Sequence, residues 1–310
     1  MSHSTRVGRI DMVATAACLG ALACWSTGPV LIKYLAGHLD SWTQNALRYS
    51  VACLFWLPFL AHSIIKGGWD TRPWRRAILP SLVNVVMQSL WATSFYYIDP
   101  AFVTLLTNTS ILWVAGFSLL FFVEERPLAR SPRFWLSLLL SVVGIFGVVV
   151  FKENFTARGT AIGIVVALAE AFMWGIYAIS VRVAFRGNDP RSSFAILSIY
   201  TVVELWICSF LFGQPQRALE LGVPAWAAVV VSGITAIALA HVLFYTAIHR
   251  IGTTIPTLVN LAQPFVVFGL SSYVFHERLN GIQLLFGGVL LAGSGLSVWA
   301  QQHLRARTRE

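Results

Sequence analysis

Long apolar runs, each of about 20 residues and almost free of charged side chains, recur along the whole 310-residue chain. A run of this length and composition is typical of a helix that crosses a lipid bilayer. Short polar or basic segments separate the runs. The pattern therefore predicts an all-α polytopic membrane protein with ten transmembrane helices. The ten predicted spans are 12–35, 42–65, 75–97, 100–122, 133–151, 159–184, 192–213, 224–247, 253–275 and 281–301.

The composition supports this class, because 57% of the residues are hydrophobic and only 11% are charged. A soluble domain carries roughly 25% charged residues, so this chain has too few to cover a surface that faces water. The connections between runs are too short to hold a separate soluble domain. The first run is too long for the core of a signal peptide, and we therefore keep it as span one.

Lysine and arginine residues concentrate on one side of the predicted membrane. Of the 22 basic residues, 16 fall in segments on the same side as the N-terminus, five fall on the other side, and Arg48 lies within span two. Because basic loops remain in the cytoplasm, this bias predicts that both termini are cytoplasmic. The net charge of +9 is thus a sign of membrane orientation, and no nucleic-acid partner is expected.

A repeat relates the two halves of the chain, because residues of spans one to five recur in spans six to ten. Five is an odd number, so the second copy runs through the membrane in the opposite direction. We therefore predict two inverted five-helix repeats, residues 1–151 and 152–310. Inverted repeats are typical of secondary transporters, whose substrate site lies near the midplane where the halves meet. The matching residues, 149 or 152 positions apart, are Trp25 with Trp174, Lys33 with Arg182, Asn108 with Asn260, and Glu125-Arg126 with Glu277-Arg278.

A Glu-Arg pair ends an apolar run twice, at Glu125-Arg126 and at Glu277-Arg278. We interpret both pairs as the end of a helix at the membrane interface, where charged groups reach water and lipid headgroups. His276 precedes the second pair, but no second histidine follows one turn later, so a zinc-binding helix is not indicated. The four cysteines fall inside apolar runs and are interpreted as packing residues. No metal or other cofactor is expected.

Two stretches resemble the bacterial ten-helix EamA-type exporters of the drug/metabolite transporter superfamily, namely WSTGPVLIKYL and QPFVVFGLSSYVFHERLNGIQLLFGGVLLAGSG. The resemblance covers nearly the whole chain, and the abundant aromatic residues make it most similar to the aromatic amino-acid exporter branch. It implies a transporter in the bacterial inner membrane, with spans one, three, four, six, eight and nine around the pathway. The family pattern includes Pro264, but Leu112 stands at the equivalent place in the first half. This departure predicts that span four is straighter than span nine.

Polar residues within the spans are the candidates for a substrate site, since polar groups in hydrocarbon face a cavity or another helix. In spans three, four and six they recur at helical spacing, so that each set shares one face. Each amide alone could equally form a structural hydrogen bond between helices, but together they favour a shared polar and aromatic cavity. Trp25 and Trp174, near the midplane, would stack on a flat substrate or pack in the core. The candidate substrate-binding residues are Trp25, Asn84, Gln88, Trp91, Asn108, Trp174, Tyr177, His241, Tyr245, Asn260 and Gln263.

Ionisable residues inside the spans form a second set of candidates. Glu170 and Glu204 are candidates for proton coupling, because a carboxylate within the membrane needs a partner or must bind a proton; a structural role is the alternative. Arg48 is expected to form a structural ion pair with a carboxylate, or to bind carbonyl groups. The other residues that we assign a structural role are Glu125, Arg126, Pro264, Glu277 and Arg278.

The sequence thus predicts a secondary transporter that exports small metabolites, above all aromatic and other neutral amino acids, by alternating access through a central cavity between the repeats. Proton-coupled efflux of drugs or organic cations is the alternative, and an intramembrane enzyme or a passive channel would be a different class. The chain has no nucleotide-binding loop, zinc-protease motif or serine elbow, so neither ATP-driven transport nor catalysis is expected. The expected partners are a small-molecule substrate and the lipid bilayer, and the expected assembly is a monomer or a weak homodimer.

Overall fold

A computed structural model describes residues 11–67, 70–151, 159–186, 188, 190–251, 256 and 259–307 of the chain. Across these residues all regular structure is helical and no strand occurs, which confirms the all-α prediction for this part of the chain. Eight of the described helices are long and apolar enough to cross a membrane, by length and composition. The protein is therefore built from membrane-spanning helices, as its hydrophobic runs predict.

The described helices follow the predicted spans closely. The helices of the first half are α1 (Met12–Leu35), α2 (Ser41–Gly67), α3 (Arg72–Ser94), α4 (Pro100–Thr107), α5 (Ser110–Phe121) and α6 (Pro132–Val150). Those of the second half are α7 (Gly159–Ala184), α8 (Pro190–Phe212), α9 (Val223–Ser232), α10 (Ala240–Ile251), α11 (Gln263–Phe275) and α12 (Gly281–Arg307). Two 3₁₀ segments, Val123–Arg130 and Pro215–Glu220, lie in connections, and a π-helical segment, Gly233–Leu239, joins α9 to α10.

Two predicted spans are missing from the eight long apolar helices. One is α3, which carries three arginines in its first two turns and buried amide and hydroxyl side chains along its length, so that its hydropathy is low. The other is α11, which has 13 described residues, because residues 252–255 and 257–258 of predicted span nine lie outside the described part. The count of ten spans therefore stays a prediction.

Span four is interrupted, although Leu112 replaces the proline of the family pattern. Its two helices, α4 and α5, are separated at Asn108 and Thr109. The amide of Asn108 donates to the carbonyl oxygen of Thr104 at 2.7 Å, and the hydroxyl of Thr109 donates to that of Leu106 at 2.7 Å. Such side-chain bonds offer the carbonyl groups an alternative to the regular helix ladder. A proline is thus only one way to break a helix. Whether span four is straighter than span nine stays a prediction, since part of span nine lies outside the described residues.

Glu277 is buried, which corrects its interpretation as a charge exposed at the membrane interface. Only 4% of the residue is exposed. Its two carboxylate oxygens accept hydrogen bonds from the backbone N–H groups of Ala101 at 3.0 Å and Phe102 at 3.1 Å. These are unpaired donors of the first turn of α4, where Pro100 has no N–H to offer. Glu277 thus connects the end of span nine to the start of span four, whereas Arg278 and Arg126 are exposed. The side chain of Glu125 lies outside the described residues.

Helices of one half pack against helices of the other half, and the pairing is the same in both directions. α1 of the first half packs along α10 of the second, and α7 of the second half packs along α3 of the first. α2 packs on α8, α4 on α11, and α6 on α12, so that each of these spans meets its counterpart from the other half. The pairs other than α6 with α12 surround the centre of the molecule, where polar residues of both halves converge.

Candidate functional site

A cavity of about 370 Å³ lies between the two halves of the chain. Its volume falls in the usual range of small-molecule sites, which is roughly 300–1,000 Å³. Helices α1, α2, α3, α7 and α8, the break between α4 and α5, the π-helical segment with α10, and residues 260–263 contribute to its wall. Ten of the eleven candidate substrate-binding residues line it: Trp25, Asn84, Gln88, Trp91, Asn108, Trp174, Tyr177, His241, Asn260 and Gln263. The eleventh, Tyr245, has its side chain outside the described part. What these residues bind stays a prediction.

Aromatic side chains form two parts of the cavity wall. Near α1 and α10, the indole of Trp25 makes edge contacts with the rings of His241 at 5.4 Å and Phe244 at 5.0 Å between centroids. On α7, the ring centroids of Trp174 and Tyr177 lie 6.0 Å apart. Trp174 and Trp25 occupy equivalent positions of the two repeats, and both face the cavity. The wall therefore offers flat apolar surfaces from both halves of the chain.

The amide side chains of the cavity are held in place by contacts with neighbouring helices. Asn84 donates to the hydroxyl of Thr201 at 3.1 Å, which joins α3 to α8. Gln263 donates to the carbonyl oxygen of Trp25 at 3.2 Å, which joins the start of α11 to α1. These bonds are the interhelical contacts that the sequence leaves as the alternative. Both residues also line the cavity.

Arg48 lies at the cavity with neutral partners, which fits the expected binding of a carbonyl group and not the expected ion pair with a carboxylate. The residue is 2% exposed. Its Nε donates to the hydroxyl oxygen of Ser232 at 2.9 Å, and its Nη1 donates to the side-chain oxygen of Asn45 at 3.2 Å. Among the described residues no carboxylate forms an ion pair with it. A buried guanidinium without a counter-charge is costly, so this arrangement is a candidate for binding an anionic group.

The two carboxylates within the spans have different surroundings. Glu170 on α7 lines the cavity, is 4% exposed, and its Oε2 has no hydrogen-bond partner. Glu204 on α8 does not line the cavity; its Oε1 accepts a hydrogen bond from the hydroxyl of Ser81 at 2.8 Å, and its Oε2, like that of Glu170, has no partner. The geometry therefore favours Glu170 over Glu204 as a group that meets a substrate or a proton.

Charged side chains form contacts at both ends of α1, which is one of the helices of the cavity wall. At its C-terminal end, Nζ of Lys33 donates to the carbonyl oxygens of Phe95 at 2.9 Å and Ile98 at 3.2 Å, and lies 3.6 Å from Oδ1 of Asp99. Phe95 is the C-terminal cap of α3 and Ile98 lies in the connection that follows, so one ammonium group stabilises the C-terminal end of α3 and joins it to α1.

At the N-terminal end of α1, Asp11 caps the helix. Its Oδ1 accepts a hydrogen bond from the backbone N–H of Ala14 at 3.0 Å, and its Oδ2 lies 2.8 Å from Nε of Arg250 on α10. The N–H of Ala14 and, after it, the guanidinium of Arg250 lower the pKa of Asp11. The carboxylate form therefore joins α1 to α10 at the end opposite Lys33.

Several residues of the cavity wall are not among the substrate-binding candidates predicted from the sequence. Met87 could have been included, because positions 84, 87, 88 and 91 share one helical face. No sequence pattern marks Phe194 or Ala236, because an apolar residue that faces the cavity cannot be distinguished from the other apolar residues of its span. The π-helical segment is equally invisible, although π-helical turns are frequent at functional sites. The residues concerned are Gly28, Pro29, Tyr49, Met87, Thr107, Ser110, Ile111, Phe194, Ala236, Ile237, Phe244 and Leu261.

Comparison with known proteins gives matches in both halves of the chain. The model of the EamA-like transporter family matches residues 12–150 and again residues 161–299. A curated relative from Acidianus ambivalens, an uncharacterized transporter in the sor 3' region, is 26% identical over 151 residues. That alignment covers 49% of this chain and 53% of the relative, so the chain spans about half the length of the curated relative that it matches.

A protein of known crystal structure shares the fold. The two structures superpose with a TM-score of 0.64, covering 94% of this chain and 98% of the other, at 18% sequence identity. At this identity the likeness concerns the fold alone. The family matches, by contrast, span most of the chain and agree with the apolar helices and the central cavity. The chain belongs to the EamA-like transporter family and is a multi-pass membrane protein.

Proposed function

We propose that this protein exports aromatic and other neutral amino acids from the cytoplasm by alternating access through the central cavity. The observation that carries this proposal is the composition of the cavity wall. Indole and phenol rings offer stacking surfaces for an apolar side chain, and amide groups offer partners for a polar backbone. The equivalent packing of the two halves supports a mechanism in which they rock about a site between them.

A second candidate function is proton-coupled efflux of drugs or organic cations. It is favoured by Glu170, whose Oε2 lacks a partner at the cavity. A carboxylate in this position would bind either a proton or a cationic substrate. The presence of Arg48 at the same cavity speaks against this second candidate, because a guanidinium repels a ligand that carries only positive charge.

Substitution of Trp174 tests the proposed function. In proteoliposomes, we expect Trp174→Ala to reduce transport of radiolabelled tryptophan roughly 5- to 150-fold, because about 1–3 kcal/mol of stacking and burial is lost. Transport of alanine, which has no ring to stack, should change much less. The measurement is the initial rate of uptake or efflux of each amino acid at equal amounts of reconstituted protein.

Trp135→Ala is the matched control for this experiment. Trp135 lies on the outer helix α6, is 56% exposed, and its indole donates to the carbonyl oxygen of Ala129 rather than facing the cavity. Its removal should leave both rates nearly unchanged. Equal behaviour of Trp174→Ala and Trp135→Ala with every substrate would show that the central site is wrong. A wild-type protein that moves no amino acid at all would reject the proposed function itself.

We also propose ten spans with both termini in the cytoplasm of a bacterial cell, in its inner membrane. The bias of basic residues supports this orientation. Reporter proteins fused after Arg309 and inserted at 72–76 should both give a cytoplasmic signal, and one inserted at 152–158 should give an external signal. A cytoplasmic signal from the 152–158 insertion would contradict the ten-span topology and, with it, the inverted repeat.

A further inference from the structure

Arg48 is positioned at the cavity by groups from three elements. Asn45, one turn earlier on α2, accepts from Nη1 and is itself fixed by donating to the carbonyl oxygen of Gln88 on α3 at 2.7 Å. Ser232, at the end of α9, accepts from Nε and donates to the carbonyl oxygen of Val229 at 3.1 Å. Both partners are therefore held by bonds of their own. The guanidinium has a defined orientation before any ligand arrives.

The close approach of α2 to the π-helical segment depends on a glycine. A Cβ atom at Gly233 would lie 2.7 Å from the carbonyl oxygen of Arg48 and 2.9 Å from Cβ of Val51. A larger residue would push the two elements apart and move Ser232 away from Nε. The absence of a side chain at position 233 thus allows the contact that holds the guanidinium.

The two observed hydrogen bonds leave most of the guanidinium's capacity unused. Arginine has five N–H donors in a planar fork, and Arg48 uses one on Nε and one on Nη1. Because the residue lines the cavity, the remaining donors are available to a ligand there. A carboxylate matches this fork with two parallel hydrogen bonds, and it also supplies the missing negative charge.

Glu170 supplies a carboxyl group at the same cavity. It lies on α7 of the second half, is 4% exposed, and its Oε2 has no hydrogen-bond partner. No ion pair forms between Glu170 and Arg48, so neither charge is neutralised by the other. A molecule with a carboxylate and an ammonium group would neutralise both at once, while its apolar part contacts the aromatic wall.

We propose that Arg48 binds the substrate's carboxylate and Glu170 binds its ammonium group, so that this pair selects zwitterions. The proposal rests on the proposed function, because it assigns recognition groups within the same cavity. It makes Arg48 a specificity-determining residue in place of a structural one. A ligand that lacks either charged group would leave one buried charge without a partner, which lowers its affinity.

The test compares three ligands that share an indole ring and differ in charge. Isothermal titration calorimetry on the purified full chain would measure tryptophan, tryptamine (no carboxylate) and indole-3-propionate (no ammonium). We expect Arg48→Gln to weaken tryptophan and indole-3-propionate about tenfold or more and to leave tryptamine unchanged. Glu170→Gln should weaken tryptophan and tryptamine by a similar factor and leave indole-3-propionate unchanged.

Matched controls are available in the connection between α8 and α9. Arg217 and Glu220 are exposed there, and neither lines the cavity. Arg217→Gln and Glu220→Gln should bind all three ligands as the wild type does. Arg48→Lys retains the positive charge, so it covers the case that Arg48→Gln does not fold. We expect it to keep part of the preference for tryptophan over tryptamine, because an ammonium attracts a carboxylate without the fork.

The outcomes separate this inference from the proposed function. If Arg48→Gln, or Arg48→Lys where the former does not fold, leaves the ratio of tryptophan to tryptamine affinity at the wild-type value, the role of Arg48 is rejected. The same holds for Glu170→Gln and the ratio of tryptophan to indole-3-propionate. In both cases binding of tryptophan by the wild type would leave amino-acid export standing. A wild type that binds none of the three ligands would overturn both proposals.

Discussion

Glu277→Ala is expected to destabilise the folded protein by about 2–6 kcal/mol, since each of two buried amide groups left without an acceptor costs about 1–3 kcal/mol. The carboxylate accepts from the N–H groups of Ala101 and Phe102 at the start of α4. Burial raises the pKa of Glu277, and these hydrogen bonds partly offset that effect. The midpoint of thermal unfolding of the detergent-solubilised protein, followed by size-exclusion chromatography, would measure the loss.

Two further variants make this result specific. Glu277→Gln keeps one side-chain oxygen as an acceptor, so its midpoint should fall between those of Glu277→Ala and the wild type. Glu220→Ala removes an exposed carboxylate and should change stability by less than about 0.5 kcal/mol. If Glu277→Ala unfolds at the same temperature as Glu220→Ala, the carboxylate does not hold α4. Transport should decline as well, because α4 ends at Thr107, a residue of the cavity wall.

Gly144→Val is expected to cost about 3 kcal/mol or more, because the added side chain has no space. A Cβ at position 144 on α6 would lie 2.5 Å from the backbone nitrogen of Leu290 and 2.6 Å from its Cα on α12. Backbone atoms of a packed helix cannot move aside as a flexible side chain can. In membranes, close helix packing of this kind depends on small residues. The yield of monodisperse protein and its midpoint of thermal unfolding should both fall sharply.

Gly288→Val is the matched control, on the partner helix of the same pair. A Cβ at position 288 would meet no atom within 4 Å. We therefore expect this variant to differ from the wild type by less than about 1 kcal/mol. Equal loss of folded protein in Gly144→Val and Gly288→Val would show that any valine in these helices is harmful, and that the contact with Leu290 is not the cause.

The candidate cavity residues show what helical spacing in the sequence can predict. Asn84, Gln88 and Trp91 were selected because they share one face of a helix, and the structure places all three at the cavity. Spacing determines which residues point in the same direction, since the period of an α-helix is constant. The same spacing accounts for Met87, which lies on that face of α3 and also lines the cavity. Whether these residues bind a substrate stays a prediction that the transport and binding experiments address.

Arg48 and Glu277 show where the sequence stops being informative. Their positions relative to the spans predict an ion pair or bonds to carbonyl groups for Arg48, and an exposed helix end for Glu277. The partners that decide their roles lie far away in the chain: Ser232 is 184 residues from Arg48, and Ala101 is 176 residues from Glu277. A hydrogen bond over such a separation depends on which helices pack together and at what height. The local sequence around each residue does not specify this packing.

By itself the sequence determined that this is an all-helical membrane protein, where its apolar helices lie, and that its halves resemble each other. These properties follow from local physics, because length and hydrophobicity decide whether a segment can cross a bilayer. Only the tertiary structure decided that α4 and α5 are separate helices, that a π-helical segment lines the cavity, and that Arg48 and Glu170 face the same space without pairing. Hydrophobicity places every apolar span in the bilayer but does not determine which spans pack together. Close packing of particular side chains determines that, and with it which polar groups meet.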